Sequence, residues 1–326
     1  MSQPLLSVQN LDVSFTFQDG DYAALKNISF SVYPKEIVGI VGESGCGKSL
    51  TSHAILGMLP TNAMIKKGSI QYRGTDLVSL TNEEWQSIRG SAISMIFQEP
   101  MTSLNPLLTI GRQISEVLKK HTGFCNKEIK EMTIALMKEV GLPRAEELYR
   151  AYPHQLSGGM RQRVVIAIAL IGEADLVIAD EPTTALDVTI QLQILELFRK
   201  LKQTRNTSLV FISHDWGVIR KVCDRVIVMY AGHIVEEGPI EEILQHPKHP
   251  YTQGLIQSIP DYKKRGEPLH TIPGRVPALR ERRGGCPFVD RCSLRMDICQ
   301  TTYPEGKKHG NHQVKCHLYA QEAINI

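Results

Sequence analysis

Short apolar runs alternate with amphipathic stretches along most of the chain. The run IVGIV at 37–41 closes the segment 32–41 and reads as a buried strand. The octet GESGCGKS (42–49) follows at once, and SLTSHAILGML (49–59) then carries a helical pattern that Pro60 stops. The segment GSIQYRGTDL, within 65–80, reads as a hairpin, and AISMIF (92–97) as another short strand. From about 100 to 172 the pattern turns helical: Ile129, Met132, Leu136 and Val140 recur at spacings of three and four, and Gly141 supplies a stop. Residues 164–171 are apolar on all sides, which predicts a buried helix ending at Gly172.

Strands return at LVIAD (176–180), SLVFIS (208–213) and RVIVMYAGHIVEEG (225–238), the last a hairpin around Ala231 and Gly232. A helix at about 189–203 lies between the first two. Strands alternating with helices predict an α/β fold on a mostly parallel sheet, with the helical block at about 100–172 inserted as a subdomain. After Tyr251 the texture changes to proline-containing loops, an arginine patch (Arg280, Arg282, Arg283) and a cysteine-containing tail. A boundary is expected near 256.

The 326 residues give room for one large domain plus a small one. With 42% hydrophobic and 22% charged residues, disordered and collagen-like classes are excluded. Lys and Arg number 37 against 34 Asp and Glu, so the net charge of +3 gives no support to a nucleic-acid partner. The N-terminal residues lack the basic and apolar regions of a signal peptide, and the longest apolar stretch, 164–171, is too short to span a bilayer. The expectation is a cytosolic chain, peripheral to a membrane at most through a partner.

The octet Gly42, Glu43, Ser44, Gly45, Cys46, Gly47, Lys48, Ser49 fits G-x-x-x-x-G-K-[ST] in the required strand–loop–helix setting. Glycines let successive backbone N–H groups turn inward around phosphate oxygens, and the helix N-terminus adds its positive end. Lys48 would reach the outer phosphates and the Ser49 hydroxyl would ligate Mg²⁺. The strand LVIAD ends in two acids. Asp180 would serve the Mg²⁺ region from the strand's C-terminal edge, and Glu181 would polarise or deprotonate the attacking water. No N-K-x-D guanine motif occurs, because Asn126 and Lys127 are followed by Glu128 and Ile129, so adenine is the expected base.

Three further pieces follow in order: Gln98 after the strand AISMIF, LSGGM (156–160) opening the buried helix, and His214 after the strand SLVFIS. Together with the phosphate loop and the Asp180–Glu181 strand end, they resemble the ABC-type ATPases over about residues 5–255. The resemblance implies a P-loop NTPase fold with a helical signature subdomain. It implies that Ser157, Gly158 and Gly159 contact the ATP held by an opposing subunit. Gln98 would sense Mg²⁺ and water, Asp187 would act in the loop after the acidic strand, and His214 would contact the γ-phosphate. An aromatic ring stacks on adenine in this family; Phe15 is the best match, with Phe17 and Tyr22 close by. Met160 stands where Gln is usual, but the phosphate contacts come from the Ser and Gly, so activity should survive.

The segments FQEPMTSLNP (97–106), YPHQLSGGMR (152–161), ADEPTTALDVTI (179–190) and HPYTQ (249–253), with the tail after about 256, are similar to the oligopeptide/dipeptide importer ATP-binding subunits. That resemblance covers nearly the whole chain. It implies a cassette at 1–255 and a C-terminal region at 256–326. It also implies a heterodimer with a second ATP-binding subunit, two transmembrane permeases and an extracellular solute-binding protein, at the cytoplasmic face of the membrane. Nothing in the chain would touch the cargo. Close relatives carry nickel or metal chelates, so that cargo stays open beside peptides. A soluble ABC ATPase of DNA repair or translation is disfavoured by the single cassette and the absence of a heptad run.

Four of the seven cysteines, Cys286, Cys292, Cys299 and Cys316, fall in the last 41 residues, with spacings of five, six and sixteen residues between them. Four thiols suit tetrahedral Zn²⁺ or a [4Fe–4S] cluster, and a tail that holds no metal stays open beside them. The lack of a C-x2-C knuckle favours the cluster, and some members of the resembled family carry one on a similar tail. His309, His312 and His317 lie near enough to enter a zinc site. Cys46, inside the phosphate loop, is a candidate for oxidation that blocks ATP.

Overall fold

The computed structural model describes residues 3–98, 103–184, 186–259 and 271–320. The chain divides into two compact units that interleave along the sequence. One holds Val32–Ile37 and Ser79–Ile212; the other holds Leu6–Ser31, Val38–Val78 and the chain from Ser213 onward.

The second of these units carries an antiparallel sheet. Its strands are β1 (Leu6–Phe17), β2 (Gly20–Val32), β4 (Ala63–Tyr72) and β5 (Thr75–Asp76), in the order β2-β1-β4-β5. The β4–β5 hairpin agrees with the hairpin expected at 65–80. The β1–β2 pair was not foreseen. The β1–β4 register runs from Leu6 opposite Tyr72 to Phe15 opposite Ala63 and shifts between Gln9 and Val13, where Asn10 is left-handed. A bulge of this kind breaks the two-residue alternation that marks a strand in sequence.

The same unit holds β3 (Ile37–Val41), buried at every position, in parallel register with β9 (Arg225–Tyr230): Val38 pairs Arg225 and Val41 pairs Val228. Burial on both faces explains why β3 reads as an unbroken apolar run. Strand β9 turns back into β10 (His233–Pro239), as the apolar pattern around Ala231 and Gly232 predicts. Beyond β10 come two strands of the tail, β12 (His312–Val314) and β11 (Lys307–His309). The sequence shows that segment only as loop, because three-residue strands are too short for any periodicity. Strand β12 pairs antiparallel with β10, and a buried carboxylate adds a side-chain link: Glu236 accepts the ring N–H of His312 at 2.6 Å and the backbone N–H groups of Lys248 and His249 at 2.6 and 3.0 Å.

Helix α1 (Lys48–Ile55) also belongs here. It ends well before Pro60, because Gly57 adopts a left-handed conformation (φ 61°) and Met58 N–H bonds back to His53 O at 2.8 Å, closing the helix with a glycine C-cap.

The other unit is built on β6 (Ile93–Ile96), β7 (Leu176–Asp180) and β8 (Ser208–Ile212), all parallel, with β7 in the middle. Helix α2 (Asn82–Ile88) begins at a Thr81–Glu84 capping box. The helical block holds α3 (Ile110–His121), α4 (Asn126–Glu139), α5 (Ala145–Leu148) and α6 (Gly158–Leu170). Helix α3 packs on α4 and α6, and α6 also reaches β6. Residues Val164–Ala167, Ala169 and Leu170 of α6 are buried, as the all-round apolar pattern requires. Helix α7 (Val188–Thr204) fits the helix expected at about 189–203.

Candidate functional site

The phosphate loop lies at the C-terminal end of β3, in the second unit. Gly42 has φ 153°, and a Cβ there would stand 2.2 Å from Met229 O, so only glycine lets the chain pass. Lys48 opens α1 and is buried; its ammonium donates to Gly42 O at 2.7 Å and Glu43 O at 3.2 Å, both carbonyls of its own loop. No acidic residue occupies the first turn of α1, so the positive helix end is not offset there. Ser44 and Gly45 are exposed, and Gly47 and Ser49 half-buried. Cys46 is fully buried, and burial pushes its thiol pKa up, which holds it protonated and shields it. The expected oxidation switch at Cys46 therefore has no accessible thiolate to work through.

In the first unit, β7 delivers Asp180, almost fully buried, at its last position. Glu181 follows in a left-handed conformation (φ 47°), a backbone state that costs a non-glycine residue of order 1 kcal/mol and recurs at functional sites. Its N–H is anchored on Ile212 O at 3.0 Å. The carboxylate accepts the Gln98 amide at 3.2 Å and the Thr184 hydroxyl at 2.9 Å. Gln98 and Glu181 are thus brought together, and Thr184 is a partner the sequence reading missed, although it follows the acidic pair by three residues.

Ser157 caps α6, its hydroxyl accepting Met160 N–H at 3.4 Å. Gly158 is exposed with open space where a Cβ would stand, whereas a Cβ on Gly159 would come within 2.8 Å of Ile190 Cγ2. Asp187 caps α7 by accepting Ile190 N–H at 2.9 Å, so the signature turn and the start of α7 meet at Gly159 and Ile190. Gln155 and Pro153, just before the signature, are used for packing: Gln155 accepts Tyr152 N–H, and Pro153 O accepts Arg161 Nε–H. Glu99, Pro100, Met101, Thr102 and Ala185 lie outside the described residues.

His214 is exposed in the second unit, directly before α8 (Trp216–Val222), whose N-cap Asp215 accepts Gly217 N–H at 2.7 Å. In that unit Phe15, Phe17 and Tyr22 form a ring series, with centroids 6.3 and 5.8 Å apart. The Arg280 guanidinium covers Phe17 at 5.3 Å and Tyr22 at 5.5 Å. His249, of the HPYTQ stretch, is fully buried. Its ring accepts Tyr251 N–H at 3.1 Å, and Tyr251 OH in turn accepts Glu43 N–H at 2.9 Å. That stretch supports the phosphate loop, a role its sequence does not announce.

In the tail, Cys286 and Cys299 are buried and Cys292 and Cys316 half-buried. Burial pushes the Cys286 thiol up to about 12, and the other three cysteines add to the shift. Burial likewise raises Cys316 to about 11. Among the described residues, however, no three His, Cys, Asp or Glu side chains converge as a metal site. The histidines expected nearby are engaged elsewhere: His312 with Glu236, His317 with Thr302 O at 2.9 Å, and His309 against the Tyr319 ring.

The family model described as "ABC transporter" matches residues 25–184, and the model described as "Oligopeptide/dipeptide transporter, C-terminal region" matches 235–299. The dipeptide transport ATP-binding protein DppD of Bacillus subtilis is 48% identical over 98% of this chain and 96% of its own length. The chain belongs to the ABC transporter ATP-binding family. The oligopeptide transport ATP-binding protein AppD of the same organism is 47% identical, with 98% of both chains covered. Among solved structures, the dimeric ATP-binding cassette MJ0796 in a post-hydrolysis state bound to ADP and Pi matches with a TM-score of 0.65 and 28% identity, over 72% of this chain and 98% of that one. As a member of this family the chain is an ATPase that uses ATP and Mg²⁺ and works with permease components. Among the described residues no helix is long and apolar enough to cross a membrane.

Proposed function

We propose that this chain is the ATP-binding and ATP-hydrolysing subunit that powers import of dipeptides and oligopeptides across the cytoplasmic membrane, bound peripherally at its cytoplasmic face. The observation that carries the reading is one continuous chain in which a complete phosphate loop is followed by the C-terminal region of oligopeptide/dipeptide transporters. The cassette spans 1–255 and the C-terminal region 256–326. Partners are a second, non-identical ATP-binding subunit, two permeases and an extracellular solute-binding protein.

Within the site, the backbone of 42–47 and Lys48 hold the phosphates, while Ser49, Gln98 and Asp180 serve Mg²⁺. Glu181 takes or polarises the proton of the attacking water, with Gln98 and Thr184 holding its carboxylate. His214 meets the γ-phosphate, and Phe15 stacks on adenine, since Arg280 already covers Phe17 and Tyr22. Ser157, Gly158, Gly159 and Asp187 face the ATP of the opposing subunit. For the four tail cysteines we carry the reading of a [4Fe–4S] cluster or Zn²⁺ with a structural role. Its support is the donor chemistry of four thiols within the last 41 residues, which suits either group.

The test is uptake of labelled dipeptides and oligopeptides in cells that lack the chromosomal copy and carry either the wild-type chain or Lys48→Ala. Restoration by wild type alone is expected. Uptake of nickel or a metal chelate, with none of peptide, overturns the cargo assignment.

A further inference from the structure

The C-terminal extension reaches back to the phosphate loop through two arginines. Arg291 makes a two-point fork on Glu43, the second residue of the loop: Nη1 to Oε2 at 2.6 Å and Nη2 to Oε1 at 3.0 Å. The Arg291 side chain is only 5% exposed. Its remaining donor capacity is spent on its own segment and on β9. Nε donates to Pro273 O at 2.8 Å, Nη2 also to Ile272 O at 3.3 Å, and Nη1 also to Tyr230 OH at 3.3 Å. The Tyr230 and Phe288 rings face it at 5.7 and 5.8 Å, and Tyr251 packs on both of those rings with centroids 4.6 and 5.3 Å away. Tyr251 OH fixes the backbone N–H of the same Glu43. Arg282 holds the loop at a second point, donating to Gly45 O at 3.2 Å and to Ala24 O at 2.8 Å. Gly45 is otherwise set in open space.

A carboxylate carried by a phosphate-binding loop adds negative charge beside the incoming triphosphate, and it weakens binding unless it is neutralised and turned away. A rigid guanidinium fork both cancels that charge and fixes where it sits, which a flexible ammonium does not do equally well. We propose that Arg291, assisted by Arg282, is a positioning residue for nucleotide binding: it neutralises and orients Glu43 so that the phosphate loop presents a net positive cradle. Because backbone carbonyls of residues 272 and 273 aim the guanidinium, the C-terminal extension becomes part of the nucleotide site without touching the nucleotide. This inference rests on the ATP-binding reading.

The experiment compares Arg291→Met, Arg291→Lys and Arg291→Met combined with Glu43→Gln. Binding of a fluorescent ATP analogue to the purified full chain is measured, and ATP turnover is measured in the assembled transporter. Arg291→Met is expected to weaken nucleotide binding about tenfold and to raise the KM for ATP alike, with kcat within about threefold. Lys, which keeps the charge without the fork, should fall between. Adding Glu43→Gln to Arg291→Met should recover most of the lost affinity, since the uncompensated charge is gone. A folded Arg291→Met chain with wild-type affinity overturns the proposal. So does a double variant that binds no better than Arg291→Met alone. Should the Met variant fail to fold, the same cycle is run with Lys, and a Glu43→Gln addition that brings no recovery overturns the proposal. Wild-type protein that binds no nucleotide, or a Lys48→Ala chain that binds as well as wild type, would instead overturn the ATP-binding reading itself.

Discussion

Gln98 donates its side-chain amide to Glu181 at 3.2 Å, and the two residues sit just past the C-terminal ends of the neighbouring parallel strands β6 and β7. One hydrogen bond thus links the glutamine loop to the acid at the strand end. The Glu181 N–H is pinned to β8 through Ile212 O, so the backbone under the carboxylate is held while the carboxylate takes its direction from Gln98 and Thr184.

Glu181→Gln is expected to retain ATP binding and to lose hydrolysis by about 10²-fold or more, because it removes the charge proposed to polarise the attacking water at nearly constant shape. Phosphate release from the assembled transporter, beside nucleotide binding on the same preparation, checks this. Turnover within threefold of wild type contradicts the assignment.

The adjacent glycines of the signature should differ in what they tolerate. Gly159→Ala drives a methyl against Ile190 Cγ2, a β-branched atom with little room to yield, and should destabilise the fold by about 1–3 kcal/mol. Shortening the partner in a Gly159→Ala, Ile190→Ala double variant should relieve part of that cost. Gly158→Ala meets open space and should leave the melting temperature nearly unchanged. Melting curves of the three variants decide the matter.

Acid should loosen the second unit through two histidines, the buried His249 and the half-buried His233. Burial pushes the pKa of His249, and that of His233, down to about 4 from 6.5. Between those values the unfolded chain binds protons that the folded one refuses, so stability falls as pH drops from about 6.5 toward about 4 and is untouched above that window. The melting temperature should decline over this range, and His249→Gln should flatten the decline while lowering the plateau near neutral pH. A pH slope identical in wild type and variant refutes the assignment to His249.

Anaerobically purified chain should carry iron approaching about four per chain if the four thiols hold the cluster. One zinc and no iron places the site in the Cys₄ zinc class instead. Finding neither, with unchanged melting of the four single Cys→Ser variants, removes the metal reading.

The phosphate loop, β3, β7 and the all-round apolar helix α6 were legible in the sequence because each is either a motif with a fixed mechanism or an element buried on every face. Gln98 and His214 stand out in the sequence only through their order along the chain, and their roles remain part of the proposal. Strand β1 escaped because the bulge in its pairing with β4 scrambles the alternation. The support of the loop by Tyr251, Arg282 and Arg291 escaped for another reason: these contacts join residues more than two hundred positions apart, and no local pattern encodes them.

The buried Glu236 has a consequence for how the chain tolerates being shortened. A chain cut after residue 255 would lose His312 and the strand β12 together. It would leave β10 as a bare sheet edge, with a dehydrated carboxylate whose remaining bonds come from the backbone of Lys248 and His249 alone. Unpaired backbone donors and acceptors along such an edge recruit strands from other molecules. An isolated cassette prepared this way would be sticky and short-lived in solution, and proteolysis in the tail would mark the molecule for aggregation rather than trim it.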